Sequence, residues 1–181
     1  MKTALAAAML AMLANAVNAA ASAAAPAAKA NAGTSAATPP ASLPPVPLAL
    51  DLQRDGIAAA RTGMPLVLFF SLPDCRYCHT VRHSYLAPMQ HSPYVVREIE
   101  VGGSLAVTGL DGAATTHAAL ARRFGVQFAP TVLFLGPAGA ELAPPLKGGD
   151  TAGMYGAYLD ARLATARHAI SATLRPERKA P

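Results

Sequence analysis

The sequence predicts an α/β fold with a small central mixed sheet of about four strands and helices on both of its faces. Three observations carry this prediction. Helical and strand-like patterns alternate along the chain, and the last two strand-like runs follow one another as in a hairpin. The uncharged run at residues 66–70 is apolar throughout and contains β-branched and aromatic side chains, which is typical of a strand buried on both faces.

The N-terminal segment has the composition of an export signal. Lys2 precedes an apolar stretch without charges, and small residues at 17–19 suit a signal peptidase. Residues 1–19 are therefore predicted to be a signal peptide that directs the protein to the periplasm; left uncleaved, they would anchor it in the membrane. Residues 20–47 are rich in Ala and Pro and poor in large apolar side chains, which predicts a disordered linker.

One domain is predicted at residues 48–173, followed by a polar tail at 174–181. Its first helix covers residues 50–61 and ends before Gly63, because glycine readily takes the left-handed conformation that follows many helices. Residues 66–70 then form the first strand.

The second helix is expected to run from Cys75 to Leu86. Pro88 cannot continue a helix, so the helix should end shortly before it. Ser71 and Asp74 are the candidate N-terminal caps, because their side chains can accept a hydrogen bond from the first helical N–H groups.

A half-exposed strand is predicted at residues 94–101, where the polarity alternates. Its inner face is expected to carry Val95, Ile99 and Val101. Residues 102–112 are predicted to be a loop. The third helix is expected to begin after Thr115 or Thr116 and to end before Gly125.

Two strands and a helix complete the predicted domain. The strand at residues 131–135 begins directly after Pro130, and the strand at 141–147 contains two prolines, which suits an edge of the sheet. Asp150 or Thr151 is the candidate cap of the last helix. The inward face of that helix is predicted to consist of Met154, Tyr155, Tyr158, Leu159, Leu163 and Ile170.

The formal net charge of +5 arises from basic residues that are scattered along the chain. Proteins that bind nucleic acids usually carry these residues in a patch or a stripe. The sequence contains no Lys/Arg block and no basic stretch interleaved with aromatic residues, so no nucleic-acid partner is expected.

The sequence contains two cysteines, Cys75 and Cys78, placed where the buried strand leads into a helix. A bridge across two intervening residues closes a very small loop and therefore constrains the unfolded chain little. The spacing favours a reactive dithiol over a purely structural disulfide.

Residues 49–172 resemble the thioredoxin-like superfamily. The matching features are the strand Leu66–Phe70, the motif Cys75-Arg76-Tyr77-Cys78 at the start of a helix, Ala129-Pro130-Thr131 at the start of a strand, and Gly148-Gly149 before the last helix. The Tyr-Cys-His ending and the predicted signal peptide are most similar to secreted bacterial members. The resemblance implies a cis bond before Pro130, in a loop that faces the dithiol. It also implies a partner groove at Ala129, Pro130 and Gly148, where an extended segment pairs with the backbone.

The chain departs from related families in ways that bear on its chemistry. Phe69 stands six residues before the first cysteine, where thioredoxin carries a buried acid for proton shuttling. The span from Cys78 to Pro130 is too short for the inserted helical domain of exported disulfide oxidases. Residues 20–47 do not resemble an isomerase dimerisation domain. Phe69 argues against the proton-shuttling arrangement of thioredoxin, and the other two departures favour a reductase.

The predicted function is that of a periplasmic thiol:disulfide oxidoreductase that reduces protein disulfides. Cys75 would be the attacking thiol, because unpaired N–H groups at the start of a helix favour a thiolate. Cys78 would resolve the mixed disulfide. Arg76 would tune Cys75 by its charge, and Tyr77 would contact the partner or pack locally.

The expected partners are disulfide-bearing periplasmic proteins and a membrane-spanning electron donor. No metal and no cofactor are expected beyond the redox-active Cys75–Cys78 disulfide. Membrane association is expected only if the signal segment stays attached.

Two alternatives remain open at this stage. Cys75, Cys78 and His79 together match the attachment motif of c-type haem. The same cysteines with His79 and His83 would also suit a copper metallochaperone, because the two histidines are spaced i, i+4 on one helix. The strand patterns around the motif weigh against the haem reading, since haem pockets are built largely from helices.

Overall fold

The computed structural model of the protein describes residues 46–174. In chain order the elements are α1 (Leu52–Arg61), β1 (Leu66–Ser71), α2 (Arg76–Thr80), β2 (Val95–Glu100), β3 (Ala106–Thr108), β4 (Ala114–Thr116), α3 (His117–Arg123), β5 (Thr131–Leu135), β6 (Glu141–Lys147) and α4 (Tyr155–Leu174). Helix α2 continues without a break as a π-helical segment, Val81–Leu86, and a 3-10 segment, Ala87–His91. We call residues 76–91 the cysteine helix.

Four strands form the central sheet in the order β2-β1-β5-β6. Strand β1 is parallel to β2 and antiparallel to β5, and β5 pairs with β6 as an antiparallel hairpin. The predicted mixed sheet and the C-terminal hairpin are thus confirmed. Strand β6 lies at the edge of the sheet. Its two prolines lack an N–H donor, and an edge strand tolerates this because one of its sides pairs with no other strand.

Helices cover both faces of the sheet, as predicted. Every residue of β1 is buried, and successive side chains enter opposite cores. One core, between the sheet and the cysteine helix with α4, contains Val67, Phe69, Cys78, Val81, Leu86, Val96, Val132, Phe134, Tyr155, Leu159, Leu163 and Ala166. The other core, beneath α1 and α3, contains Leu52, Ala59, Leu66, Leu68, Phe70, Ile99, Leu120, Ala121, Leu133 and Leu135.

Helix termini follow the sequence signals in α1 and α3. The N–H of Ala119 donates to Thr116 Oγ1 at 3.3 Å, so Thr116 caps α3. Asp51 caps α1 in the same manner through the N–H of Arg54. Gly63 and Gly125 follow the two helices with φ of +66° and +62°, a region in which a side chain would be strained.

The predicted loop at residues 102–112 is wrong in part, because it contains β3. This strand pairs with β4 in a separate two-stranded sheet. Each strand has only three residues and little apolar alternation, so the sequence pattern gives no signal for them.

Strand β2 is less exposed than predicted. Ile99 is fully buried and Val95 and Val101 pack against the same core, which confirms the inner face. The opposite face is also covered, because Val96 and Glu98 are buried there. The cysteine helix covers this second face, and the alternating polarity of β2 does not reveal it.

The start of α4 differs from the prediction. The helix begins at Tyr155, so neither Asp150 nor Thr151 directly precedes it. Four predicted inward residues, Tyr155, Leu159, Leu163 and Ile170, are buried, whereas Met154 and Tyr158 are more than half exposed. Tyr158 lies three residues after Tyr155 and falls outside the stripe in which Leu159, Leu163 and Ala166 continue.

The packed structure includes the last two residues of the predicted linker. Val46 is buried, and the N–H of Glu98 donates to the carbonyl of Pro47 at 2.8 Å. The predicted signal peptide, the rest of the linker and residues 175–181 lie outside the described residues. Within residues 46–174, no helix is long and apolar enough to span a bilayer.

Candidate redox site

Cys75 lies directly after β1 and a short loop, at the N-cap of the cysteine helix. Its backbone is extended, with φ of −85° and ψ of 102°, and the N–H of Cys78 donates to its Sγ at 3.1 Å. The predicted caps are therefore wrong: Ser71 is the last residue of β1, and Asp74 adopts a positive φ of 55° in the loop. Cysteine takes the capping role because its sulfur is within reach of the orphan N–H.

The two sulfurs occupy different environments. Cys75 is half-buried at the surface, whereas Cys78 is 0% exposed inside the core. They form a disulfide, with the Cα atoms 5.1 Å apart. An N–H group that points at Cys75 Sγ would stabilise a thiolate there once the bond is reduced, while burial disfavours charge on Cys78.

Arg76 and Tyr77 lie between the cysteines and contact each other. The Arg76 guanidinium carbon is 5.0 Å from the centre of the Tyr77 ring, and Nη2 donates to the Tyr77 hydroxyl at 3.3 Å. Both side chains are exposed. The charge of Arg76 is thus held over the tyrosine ring beside the dithiol.

The Pro130 loop and the segment before α4 are brought to the same place. The Ala129–Pro130 bond is cis, as the resemblance implies. The N–H of Gly148 donates to the carbonyl of Pro130 at 2.8 Å. A Cβ added to Gly149 would lie 2.6 Å from Tyr77 Cβ, so Tyr77 lies directly against the Gly149 backbone.

These contacts form a continuous path from the cysteine helix to the Pro130 loop. Ala129 and Cys75 also pack at the margin of the same core. Gly148 is exposed and Pro130 is buried, so the glycine is the solvent-facing member of this contact. All predicted site residues therefore lie in one continuous region around the dithiol.

A cleft of about 390 Å³ opens beside Cys75. Its lining consists of Leu48, Ser71, Leu72, Pro73, Asp74, Cys75, Arg76, His79, Arg82, Glu98 and Glu100. The sequence patterns do not reveal the polar group in this lining that is formed by Ser71, Arg82 and Glu98.

Glu98 is the centre of this polar group. Arg82 binds its carboxylate through two hydrogen bonds, of which Nε to Oε2 measures 2.7 Å, and Ser71 Oγ donates to Oε1 at 2.5 Å. Glu98 is only 5% exposed. The hydrogen bond to Glu98 raises the pKa of Arg82, and this outweighs the burial that lowers it.

Glu98 pairs in register with Phe69, the residue that replaces the buried acid of thioredoxin. A buried carboxylate is therefore present on the neighbouring strand, and the Arg82 guanidinium carbon lies 5.6 Å from the centre of the Phe69 ring. The sequence does contain one signal for the burial of Glu98, namely the apolar run of β1. Because this run predicts that β1 is covered on both faces, its neighbour β2 is expected to be covered on both faces near β1.

His79 and His83 stack against each other, with ring centres 4.2 Å apart. Partial desolvation lowers the pKa of His83, and the neighbouring His79 and Arg82 lower it further. The predicted i, i+4 proximity is correct, but residues 46–174 contain no cluster of three or more His, Cys, Asp or Glu side chains placed to hold a metal ion. The complete burial of Cys78 is also a poor fit to haem attachment, which requires both sulfurs to reach the porphyrin.

Comparison with known proteins agrees with this architecture. The sequence profile of the thioredoxin-like domain family matches residues 52–162. The chain therefore belongs to the thioredoxin-like domain family. Among curated protein sequences, none matches the chain.

Solved structures with a similar fold include three bacterial proteins. A thioredoxin from Thermus thermophilus is 20% identical, with 74% of this chain and 97% of that chain covered and a TM-score of 0.47. The C-terminal domain of Neisseria meningitidis DsbD, in its oxidised form, is 19% identical over 64% and 98% of the chains, with a TM-score of 0.43. A thioredoxin-fold protein from Helicobacter pylori is 14% identical over 62% and 86%, with a TM-score of 0.42.

Proposed function

We propose that the protein is a periplasmic thiol:disulfide reductase that acts on protein disulfides through Cys75 and Cys78. The observation that carries this proposal is the asymmetry of the pair. Cys75 is reachable from solvent and accepts a hydrogen bond from an N–H group, whereas Cys78 is enclosed directly behind it. A dithiol needs this difference for one sulfur to attack a substrate and the other to resolve the product.

The first step uses the reduced protein. The Cys75 thiolate attacks one sulfur of the substrate disulfide, so that a Cys75–substrate disulfide forms and the substrate S–S bond breaks. The other substrate sulfur leaves as a thiolate and takes up a proton from solvent. The Cys78 N–H group, 3.1 Å from Cys75 Sγ in the oxidised state, favours the thiolate that starts this step.

The second step closes the internal disulfide. Cys78 loses its proton and attacks Cys75 Sγ, which releases the second substrate sulfur as a thiol after protonation. Two electrons have then passed from the Cys75–Cys78 dithiol to the substrate. A membrane-spanning protein dithiol is proposed to return the protein to its reduced state by the same exchange in reverse.

The direction and the location of the reaction rest on the sequence. The export signal predicted at residues 1–19 supports a periplasmic protein. The absence from the sequence of an oxidase-type insertion between Cys78 and Pro130, and of a dimerisation domain in residues 20–47, supports a reductase. The proposed substrates are disulfide-bearing proteins that bind in the groove at Ala129, Pro130 and Gly148.

Insulin reduction with dithiothreitol as the electron source tests the assignment. The native protein should accelerate the reduction of insulin disulfides, and Cys75→Ser should abolish this activity. When it is reduced beforehand and mixed with insulin after the dithiothreitol is removed, Cys78→Ser should accumulate a mixed disulfide through Cys75, because no internal sulfur can release the substrate. Full activity in Cys75→Ser would refute the assigned nucleophile.

The reduction potential of the Cys75–Cys78 pair tests the direction. A reductase should lie near the values of thioredoxin and glutaredoxins, about −270 to −200 mV. A value near about −120 mV, typical of a strong oxidant, would overturn the reductase proposal while leaving the oxidoreductase chemistry intact.

We also propose that the reaction needs no prosthetic group. The absorption spectrum of the purified, exported protein should show no haem Soret band, and titration of the reduced protein with Cu(I) should reveal no tight site. Covalently bound haem would refute this part of the proposal, as would a tight copper site that competes with disulfide exchange.

A further inference from the structure

Tyr85 connects the cysteine helix to the segment before α4. It lies in the π-helical turn Val81–Leu86, and its hydroxyl donates to the carboxylate of Asp150. Its ring packs on the first turn of α4, with its centre 4.8 Å from that of Tyr155. Tyr85 is thus held both by its ring and by its hydroxyl.

The π-helical turn helps to explain this placement. Turns of this type are rare and widen the helix by one residue, which changes the direction of the side chains that follow. The turn begins three residues after Cys78. Tyr85 therefore leaves the helix from a segment whose geometry differs from that of the α-helical turn carrying the dithiol.

Asp150 lies on the other side of the contact, in the segment before α4. Its carboxylate accepts the hydrogen bond from the Tyr85 hydroxyl, and the partial positive charges of the Gly153, Tyr155 and Ala152 backbone N–H groups also lower its pKa. The hydrogen bond from Tyr85 and these backbone groups hold the pKa of Asp150 below its usual value. The carboxylate is therefore ionised at neutral pH, and the hydrogen bond from Tyr85 is charge-assisted.

Asp150 directly follows the two glycines that contact Tyr77 and Pro130. Gly149 lies against Tyr77, and Gly148 donates to the carbonyl of Pro130. Asp150 therefore joins the Gly148–Gly149 backbone to Tyr85 of the cysteine helix. A shift of this backbone would alter the space between Tyr77 and the Pro130 loop.

We propose that the Tyr85–Asp150 hydrogen bond is a latch that holds the Gly148–Gly149 segment against Tyr77 and Pro130 and thereby shapes the groove for a protein substrate. This inference rests on the proposed thiol:disulfide reductase function. Tyr85 and Asp150 are positioning residues: they act through the glycine segment and do not touch the reacting sulfurs.

Such a latch affects substrates unequally. A protein disulfide must lie along the backbone of the groove, so it depends on the position of the glycine segment. A small aromatic disulfide such as 5,5′-dithiobis(2-nitrobenzoate) needs access to Cys75 alone. Loss of the latch should therefore raise KM for a protein substrate and leave the reaction with the small disulfide unchanged.

Tyr85→Phe tests this inference, because it removes the hydroxyl and keeps the ring. Tyr158→Phe is the matched control, since Tyr158 is an exposed tyrosine on the outer side of α4. With insulin as the substrate, Tyr85→Phe should raise KM by about fivefold, as expected for the loss of one hydrogen bond, with kcat within about twofold of the native value. The control should match the native protein in both assays.

Gly149→Ala perturbs the Gly148–Gly149 segment at its contact with Tyr77 and leaves the Tyr85 and Asp150 side chains in place. The added methyl group would collide with Tyr77 and displace the backbone that the latch holds. This variant should also raise KM for insulin. Thermal melting shows whether both variants are folded before the kinetic comparison is made.

The outcomes distinguish the latch from the proposed function. If the native protein reduces neither substrate, the proposed function fails, and this inference fails with it. If the native protein is active and both Tyr85→Phe and Gly149→Ala match Tyr158→Phe on insulin, the latch alone is refuted. An equal loss of activity on both substrates in Tyr85→Phe would also refute the latch, because the tyrosine would then act on the dithiol or on the fold.

Discussion

Two neighbouring residues of β2, Arg97 and Glu98, form ion pairs on opposite faces of the sheet. Arg97 binds Asp55 of α1 through two hydrogen bonds of 2.8 Å, and Glu98 binds Arg82 of the cysteine helix, also through two. The burial is similar in the two pairs: the carboxylate side chains are 4% and 7% exposed and the arginine side chains 23% and 21%. The two pairs therefore serve as internal controls for each other.

The pairs differ in what surrounds them. The Asp55–Arg97 pair joins α1 to the sheet on the face away from the dithiol. The Arg82–Glu98 pair lines the cleft that contains Cys75. An arginine–carboxylate pair thus joins a helix to β2 on each face of the sheet, and of the two pairs only Arg82–Glu98 lies beside the dithiol.

The largest expected effect is on stability, and both pairs should show it. Asp55→Asn and Glu98→Gln each leave a partly buried arginine without its charged partner, so each should lower the free energy of unfolding by about 2 kcal/mol. Urea denaturation, followed by circular dichroism, measures this change. A loss in only one of the two variants would break the proposed equivalence of the pairs.

The second prediction sharpens the difference between the pairs. In Glu98→Gln the charge of Arg82 is no longer balanced, so it should favour the Cys75 thiolate in the adjacent cleft. Stabilising the reduced form should raise the reduction potential by about 10–30 mV. Asp55→Asn should leave the potential at the native value.

Equilibration of each variant with glutathione buffers, followed by quantification of the dithiol, measures this shift. An equal rise in both variants would mean that the change comes from lost stability and not from the charge in the cleft. A fall in Glu98→Gln would contradict the assigned sign of the electrostatic effect.

A third ion pair, Asp111–Arg123, is about half exposed and therefore shows how much the burial of the other two pairs contributes to stability. Solvent screens such pairs, so Asp111→Asn should lower the melting temperature at pH 7 by far less than Asp55→Asn does. A loss comparable to that of Asp55→Asn would show that burial does not separate the pairs.

The pH dependence of this exposed pair has a defined sign. The hydrogen bond from Arg123, with that from the Ala113 N–H, holds the pKa of Asp111 below its ordinary value of 3.8. A depressed pKa stabilises the fold above the ordinary value, and this contribution is lost as the pH falls through the folded-state value. The melting temperature of Asp111→Asn should therefore fall less steeply below about pH 4 than that of the native protein.

Much of the fold was visible in the sequence because its signals are local. The burial of β1 follows from five consecutive apolar residues, and Thr116 and Gly125 mark the ends of α3 by their own chemistry. The pair Cys75 and Cys78 was visible for the same reason, since its spacing and its position after a strand are local features.

The missing parts of the site depend on contacts between distant segments. The alternation in β2 predicts a half-exposed strand and does not show that a helix covers the face that carries Glu98. Its pairing with Arg82, and that of Tyr85 with Asp150, join residues that are 16 and 65 positions apart. No local pattern encodes such pairings, since they arise from the register of β1 with β2 and from the docking of α4.

Differential alkylation of the reduced protein tests the central claim most directly. Brief treatment with iodoacetamide, followed by denaturation, isotope-labelled reagent and mass spectrometry, reports which sulfur reacts first in the folded state. We predict that Cys75 carries the first label and that Cys78 reacts only after unfolding, because Cys78 is enclosed in the core. Equal labelling of the two cysteines, or first labelling of Cys78, would contradict the assignment of an exposed attacking thiol and a buried resolving thiol.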